Sequence, residues 1–157
     1  AMELALAGEI TQTTVLDPDR IAVGGYSIGG PMSLFMAAEQ PEVAAVVLWA
    51  PVGSPFWRGL RPQRLYPLVT QDILMLLGEL DRGAPPEGGF PQKLKDRLTG
   101  AGDIETVVIE GGTHTQFQQP IAKGEPEAGL SRFDQQAFSI TETKRFLDEQ
   151  LGPLATE

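Results

Sequence analysis

The sequence predicts an α/β fold of about four parallel strands flanked by helices. Continuous aliphatic runs closed by Gly or Pro suit strands buried on both faces of a parallel sheet. The segments between those runs are long enough for crossovers, which are right-handed in such sheets. The length, 157 residues, suits a single domain spanning residues 1–157 with a sizeable core.

The elements follow in order. Ile21-Ala22-Val23 is the first strand and leads into Gly24-Gly25. Ser33 to Gln40 (SLFMAAEQ) reads as a helix, and Val43 to Ala50 (VAAVVLWA) as the second strand. Gly53 to Thr70 is rich in Pro and Arg and reads as irregular. Ile73 to Leu77 (ILMLL) is the third strand, Gln92 to Leu98 a second helix, and Thr106 to Ile109 (TVVI) the fourth strand. A last helix is expected from about Phe133 to Leu151, where Phe133, Ala137, Ile140, Leu147 and Leu151 fall on one stripe at helical spacing.

Composition removes several function classes. With 12 basic and 21 acidic residues the net charge is −9, which argues against nucleic acid and anionic membrane surfaces as partners. The absence of cysteine excludes a thiolate nucleophile and Cys-ligated metal, and a single histidine excludes a multi-histidine metal site. No metal and no cofactor is therefore expected. Ala1-Met2-Glu3-Leu4 has no basic n-region or long apolar h-region, and the run Val43 to Val52 is too short to span a bilayer. A soluble, cytoplasmic protein is the expectation.

The densest signal is IAVGGYSIGG, Ile21 to Gly30. Within it, Gly25-Tyr26-Ser27-Ile28-Gly29 fits G-x-S-x-G between a strand and a helix. A nucleophilic serine at a sharp strand-to-helix turn sits in strained backbone, so its neighbours must be small. The helix then points free N–H groups at the site, and that of Ile28 is placed to stabilise an oxyanion. Pro31 is tolerated in the first helical turn. A dinucleotide fingerprint fails because Tyr26 and Ser27 block both glycine registers, and a phosphate-cradling loop fails because Gly29-Gly30-Pro31 stands where G-K-[ST] is needed. The plainer alternative is a tight turn with an incidental serine.

The third strand runs into Gly78-Glu79-Leu80-Asp81, which places an acid at the strand's C-terminal edge, where open α/β sheets bind ligands. Asp81 is the preferred carboxylate over Glu79, which follows the strand immediately. His114, the only histidine, follows the fourth strand through Glu110-Gly111-Gly112-Thr113 and falls on the same edge. Ser27, Asp81 and His114 thus come after successive strands, in the chain order of an α/β-hydrolase triad.

Residues 13 to 117 resemble the α/β-hydrolase superfamily, most nearly its dienelactone-hydrolase-like and related esterase members. The likeness rests on three stretches. These are Leu16 to Val23 leading into Gly24-Gly25-Tyr26-Ser27-Ile28-Gly29-Gly30, then Leu77 to Asp81 with Pro85, then Val108 to His114. The resemblance implies Ser27 as nucleophile, His114 as general base and then acid, and Asp81 as the group orienting the imidazole. It implies a serine hydrolase of carboxylic esters, with short-chain acyl or lactone substrates, acting through an acyl-enzyme. Tyr26, Trp57 and Phe117 are candidates for the substrate pocket. The family also has strands before the serine strand, whereas only about twenty residues precede Ile21 here. The expected fold is therefore a truncated α/β-hydrolase, the C-terminal part of the usual one. Its serine strand would be an apolar edge, which predicts a homo-oligomer covering Ile21 to Gly25. A second reading of the same features is a catalytically weak or inactive truncated fold acting as a binding or assembly module. Arg58, Arg61 and Arg64 read as a solvated face, with carboxylate recognition as the alternative, and Gln118 to Gly129 as a candidate flap.

Overall fold

The computed structural model describes residues 17–18, 20–53, 64–118 and 126–152. Its centre is one four-stranded parallel sheet of β1 (Ile21–Tyr26), β2 (Val43–Trp49), β3 (Asp72–Gly78) and β4 (Ile104–Ile109), in the order β1-β2-β3-β4. Spatial order equals chain order, so every crossover steps the same way. Right-handed connections then put their intervening elements on one face. That face carries α1 (Gly29–Glu39), the 3₁₀ turn Tyr66–Leu68 and α2 (Phe90–Lys95). The opposite face is left for α3 (Arg132–Leu151), which follows the last strand.

Side-chain alternation divides the core accordingly. Leu34 and Phe35 of α1, Val46, Leu48, Ile73, Met75 and Leu77 of the sheet, and Leu94 of α2 form the larger cluster. Ala45, Val47, Leu74 and Leu76 pack on the other side against Phe146 of α3. β2 and β3 are covered on both faces, which is why they read as unbroken apolar runs.

The strands lie where the sequence places them, with β1 continuing through both glycines to Tyr26. Helix α1 starts at Gly29, four residues before the expected Ser33, because Gly29-Gly30-Pro31 forms its first turn. Helix α2 covers Phe90–Lys95 rather than Gln92 to Leu98. The predicted stripe on α3 needs correction. Phe133 is 79% exposed and Ile140 68%, whereas Gln135, Ser139 and Phe146 are buried. The first half of α3 packs on a loop with open backbone polar groups, so it buries polar side chains there and leaves apolar ones outside. Among the described residues β1 has β2 as its one strand neighbour, so its other side is a sheet edge.

Candidate active site

The three strands β1, β3 and β4 each end in one of the predicted side chains. Ser27 follows β1 with φ of 55°, the left-handed region that costs a non-glycine residue about 1–2 kcal/mol. Backbone bonds hold it there. Its N–H donates to the Trp49 carbonyl at 2.9 Å, and its carbonyl accepts from Val52 at 3.2 Å. The turn is so tight that a Cβ on Gly25 would stand 2.1 Å from the Gly29 carbonyl oxygen, so only glycine fits. Helix α1 has no side-chain cap and no acidic residue in its first turn. The Ile28 N–H makes no hydrogen bond among the described residues, so this positive helix end faces the serine unspent.

Beyond β3, Gly78 lies so close to Gly112 that a Cβ would meet its carbonyl oxygen at 2.7 Å. The loops after β3 and β4 are braced together there. Glu79 N–H donates to the Ile109 carbonyl at 3.0 Å, and Leu80 N–H to that of Gly112 at 2.8 Å. The Glu79 carboxylate accepts from Gly111 N–H at 2.8 Å, which makes this acid a brace between loops. Asp81 is the acid that turns inward. Its side chain is fully buried, with Oδ1 accepting from Ala84 N–H at 2.7 Å and Oδ2 2.7 Å from His114 Nδ1.

His114 joins the two. With Nδ1–H donating to the Asp81 carboxylate, Nε2 carries the lone pair and accepts from the Ser27 hydroxyl at 3.0 Å. The imidazole is 14% exposed, buried enough to be held and open enough to reach a reactant. Tyr26 packs its ring against the imidazole with centroids 5.1 Å apart, and Phe117 packs on Tyr26 at 6.3 Å. The arrangement places a hydroxyl in hydrogen-bond contact with an imidazole that a carboxylate orients, beside the open N-terminus of α1.

The structure brings together Ser27, Asp81, His114, Ile28, Tyr26 and Phe117. Trp57, Arg58 and Arg61 lie outside the described residues, as does most of the Gln118 to Gly129 segment, and Arg64 is exposed. Tyr26 and Phe117 line a mainly apolar cavity of about 820 Å³ between β1 and α3, with Trp49, Ile140 and Leu147. Ser27 does not line it, so the cavity meets the site only through Tyr26 and Phe117. Trp49 was not expected, although its place at the C-terminal end of β2 follows the same rule that located Ser27. Among the described residues no group of three or more His, Cys, Asp or Glu is placed to hold a metal ion, and no helix is long and apolar enough to cross a membrane.

Comparison with known proteins places this fold. The putative dienelactone hydrolase of Klebsiella pneumoniae subsp. pneumoniae superposes with a TM-score of 0.66 at 16% identity, over 94% of this chain and 58% of that one. Est1E from Butyrivibrio proteoclasticus, solved with ferulic acid, gives 0.65 at 15%, over 97% and 67%. The acylaminoacyl peptidase of Pyrococcus horikoshii gives 0.62 at 14%, over 91% and 26%. At these identities the likeness is one of fold, and the chain spans from about a quarter to two thirds of the length of these three proteins. No curated protein matches it in sequence. Residues 4–129, well over half of the sequence and including Ser27, Asp81 and His114, match the dienelactone hydrolase family, and the chain belongs to that family.

Proposed function

We propose that the protein is a serine hydrolase that cleaves carboxylic esters, with short-chain acyl or lactone substrates. The observation that carries this reading is the unbroken chain of hydrogen bonds from Asp81 through His114 to Ser27. Ser27 Oγ attacks the carbonyl carbon while His114 Nε2 takes its proton. Asp81 holds the Nδ1–H tautomer and stabilises the imidazolium. The Ile28 N–H donates to the oxyanion, a contribution worth about 10²–10³ in rate. Collapse expels the alcohol, which takes the proton from His114 and leaves an acyl-Ser27. Water then attacks that ester with His114 again as base, releasing the carboxylic acid and the free serine. Tyr26 and Phe117 supply the apolar surface beside the base.

A fluorophosphonate probe and p-nitrophenyl acetate test this directly. Ser27 is the residue expected to be labelled, and turnover should be lost in Ser27→Ala and His114→Ala. An unlabelled Ser27, or equal turnover by wild type, Ser27→Ala and His114→Ala, would leave the assembly-module reading in its place.

The site has one evident oxyanion donor, and β1 beside it is a sheet edge. Ile28 at the N-cap of α1 and Met32 and Met36 within it are exposed at a spacing of four residues. In a chain of net charge −9, Ile21 to Ala38 contains no charged residue, the composition of an interface centre. We propose that a second copy covers this surface. Light scattering should then give at least twice the chain mass, and Met32→Glu should lower it. A monomer at high protein concentration overturns this assignment and leaves the hydrolase reading untouched.

A further inference from the structure

The buried face of α3 carries a polar seam where an ordinary amphipathic helix would carry an apolar one. Gln135 is fully buried, 0% exposed, and Ser139 beside it donates to the Gln135 carbonyl at 2.7 Å. The Gln135 carboxamide makes two hydrogen bonds to a single residue of the histidine loop. Its Oε1 accepts from Thr113 N–H at 2.9 Å, and its Nε2 donates to the Thr113 carbonyl at 2.9 Å. A side chain bonded to both main-chain groups of one residue does the work of a neighbouring strand, in a loop that has none. A buried primary amide is tolerated only when so paired.

Thr113 precedes His114. On the opposite side of the loop, Leu80 N–H holds the Gly112 carbonyl, so the main chain leading to the imidazole is fixed between the acid loop and α3. After the histidine, Gln136 Nε2 donates to the Gln116 carbonyl at 3.0 Å, extending the same helix face along the loop. Asp81 sets the tilt of the imidazole ring. It cannot set where the Cα of His114 stands relative to Ser27, 87 residues earlier in the chain.

We propose that Gln135 is a positioning residue for His114, fixing the Thr113 main chain so that Nε2 reaches Ser27 Oγ. The inference rests on reading Ser27 and His114 as the reacting pair. It goes beyond that reading by making α3, which contributes no reacting group, a determinant of the rate. Substrate does not touch Gln135, so its loss should fall on kcat and spare KM.

Two variants and two readouts test it. Gln135→Met keeps the length of the side chain and removes both hydrogen bonds. It should lower kcat about 10–100-fold with KM within about threefold, the scale of a small misplacement of reacting groups. Gln135→Glu keeps the acceptor, but its ionised form cannot donate to the Thr113 carbonyl, whereas its protonated form can. Its kcat relative to wild type should therefore fall as the introduced carboxyl ionises, in a scan from pH 5 to 10. The second readout needs no activity. His114 is the only histidine, so its imidazole gives one set of NMR signals, including the hydrogen-bonded Nδ1 proton. That set should be single and sharp in wild type, and split or broadened in Gln135→Met.

A kcat within twofold of wild type together with an unchanged imidazole spectrum in Gln135→Met overturns the proposal. If wild type proves inactive, the catalytic reading of Ser27 fails and the spectra alone decide the role of Gln135. If Gln135→Met does not fold, Gln135→Glu decides. A wild-type kcat together with an imidazole spectrum matching wild type at every pH removes the positioning role.

Discussion

Ser27→Ala should abolish fluorophosphonate labelling and lower kcat on p-nitrophenyl acetate by about 10⁴-fold or more. The substitution removes the one oxygen hydrogen-bonded to His114 Nε2 and leaves the elbow otherwise intact. The bonds that hold residue 27 at positive φ are main-chain bonds to Trp49 and Val52, and alanine retains them. Unchanged circular dichroism and melting should therefore accompany the loss. His114→Ala should lose about as much, and the double variant little more, because the two groups act in one proton transfer. Labelling that survives in Ser27→Ala would place the nucleophile elsewhere.

Asp81→Asn should lower kcat by a similar factor, about 10⁴, without unfolding the protein. Asp81 Oδ1 is committed to the Ala84 N–H, so the new amide oxygen takes that place and the NH₂ faces His114 Nδ1. A donor now meets Nδ1, and the imidazole changes to the tautomer with its proton on Nε2. That nitrogen can no longer accept from Ser27. The rings of Tyr26 and Phe117 beside the imidazole are untouched, so KM should change little. Because the NH₂ cannot stabilise an imidazolium, raising the pH should not restore the rate. Recovery to wild-type turnover at alkaline pH would assign Asp81 a purely structural role.

Much of this site is legible in the sequence because it lies at strand ends. Unbroken aliphatic runs mark β2 and β3, since strands covered on both faces have no polar side to interrupt them. Counting residues past the ends of β1, β3 and β4 then reaches Ser27, Asp81 and His114. The choice of Asp81 over Glu79 is also legible, since the residue directly after the strand is still bound by the neighbouring ladder. Gln135 is not legible. Its role comes from a loop 22 residues earlier in the chain, and no local period announces that a helix will bury an amide instead of a leucine. The same fact defeats the Phe133-Ile140 stripe, because helical spacing identifies faces without saying which one meets the sheet. Trp49 escapes for a simpler reason: an aromatic at the end of an apolar run looks like core.

Ser27 and His114 follow β1 and β4, which among the described residues are the first and last strands of a sheet built in chain order. Their hydrogen bond therefore links the two outer members of the sheet across about 14 Å of intervening strands. Each strand can add to its predecessor through a short closure, but this bond forms only after all the ladders are in register, over a separation of 87 residues. Fluorophosphonate labelling of Ser27 is thus expected to return only once the sheet is complete, after the first collapse. During refolding, the chemistry itself keeps time for the completion of the sheet.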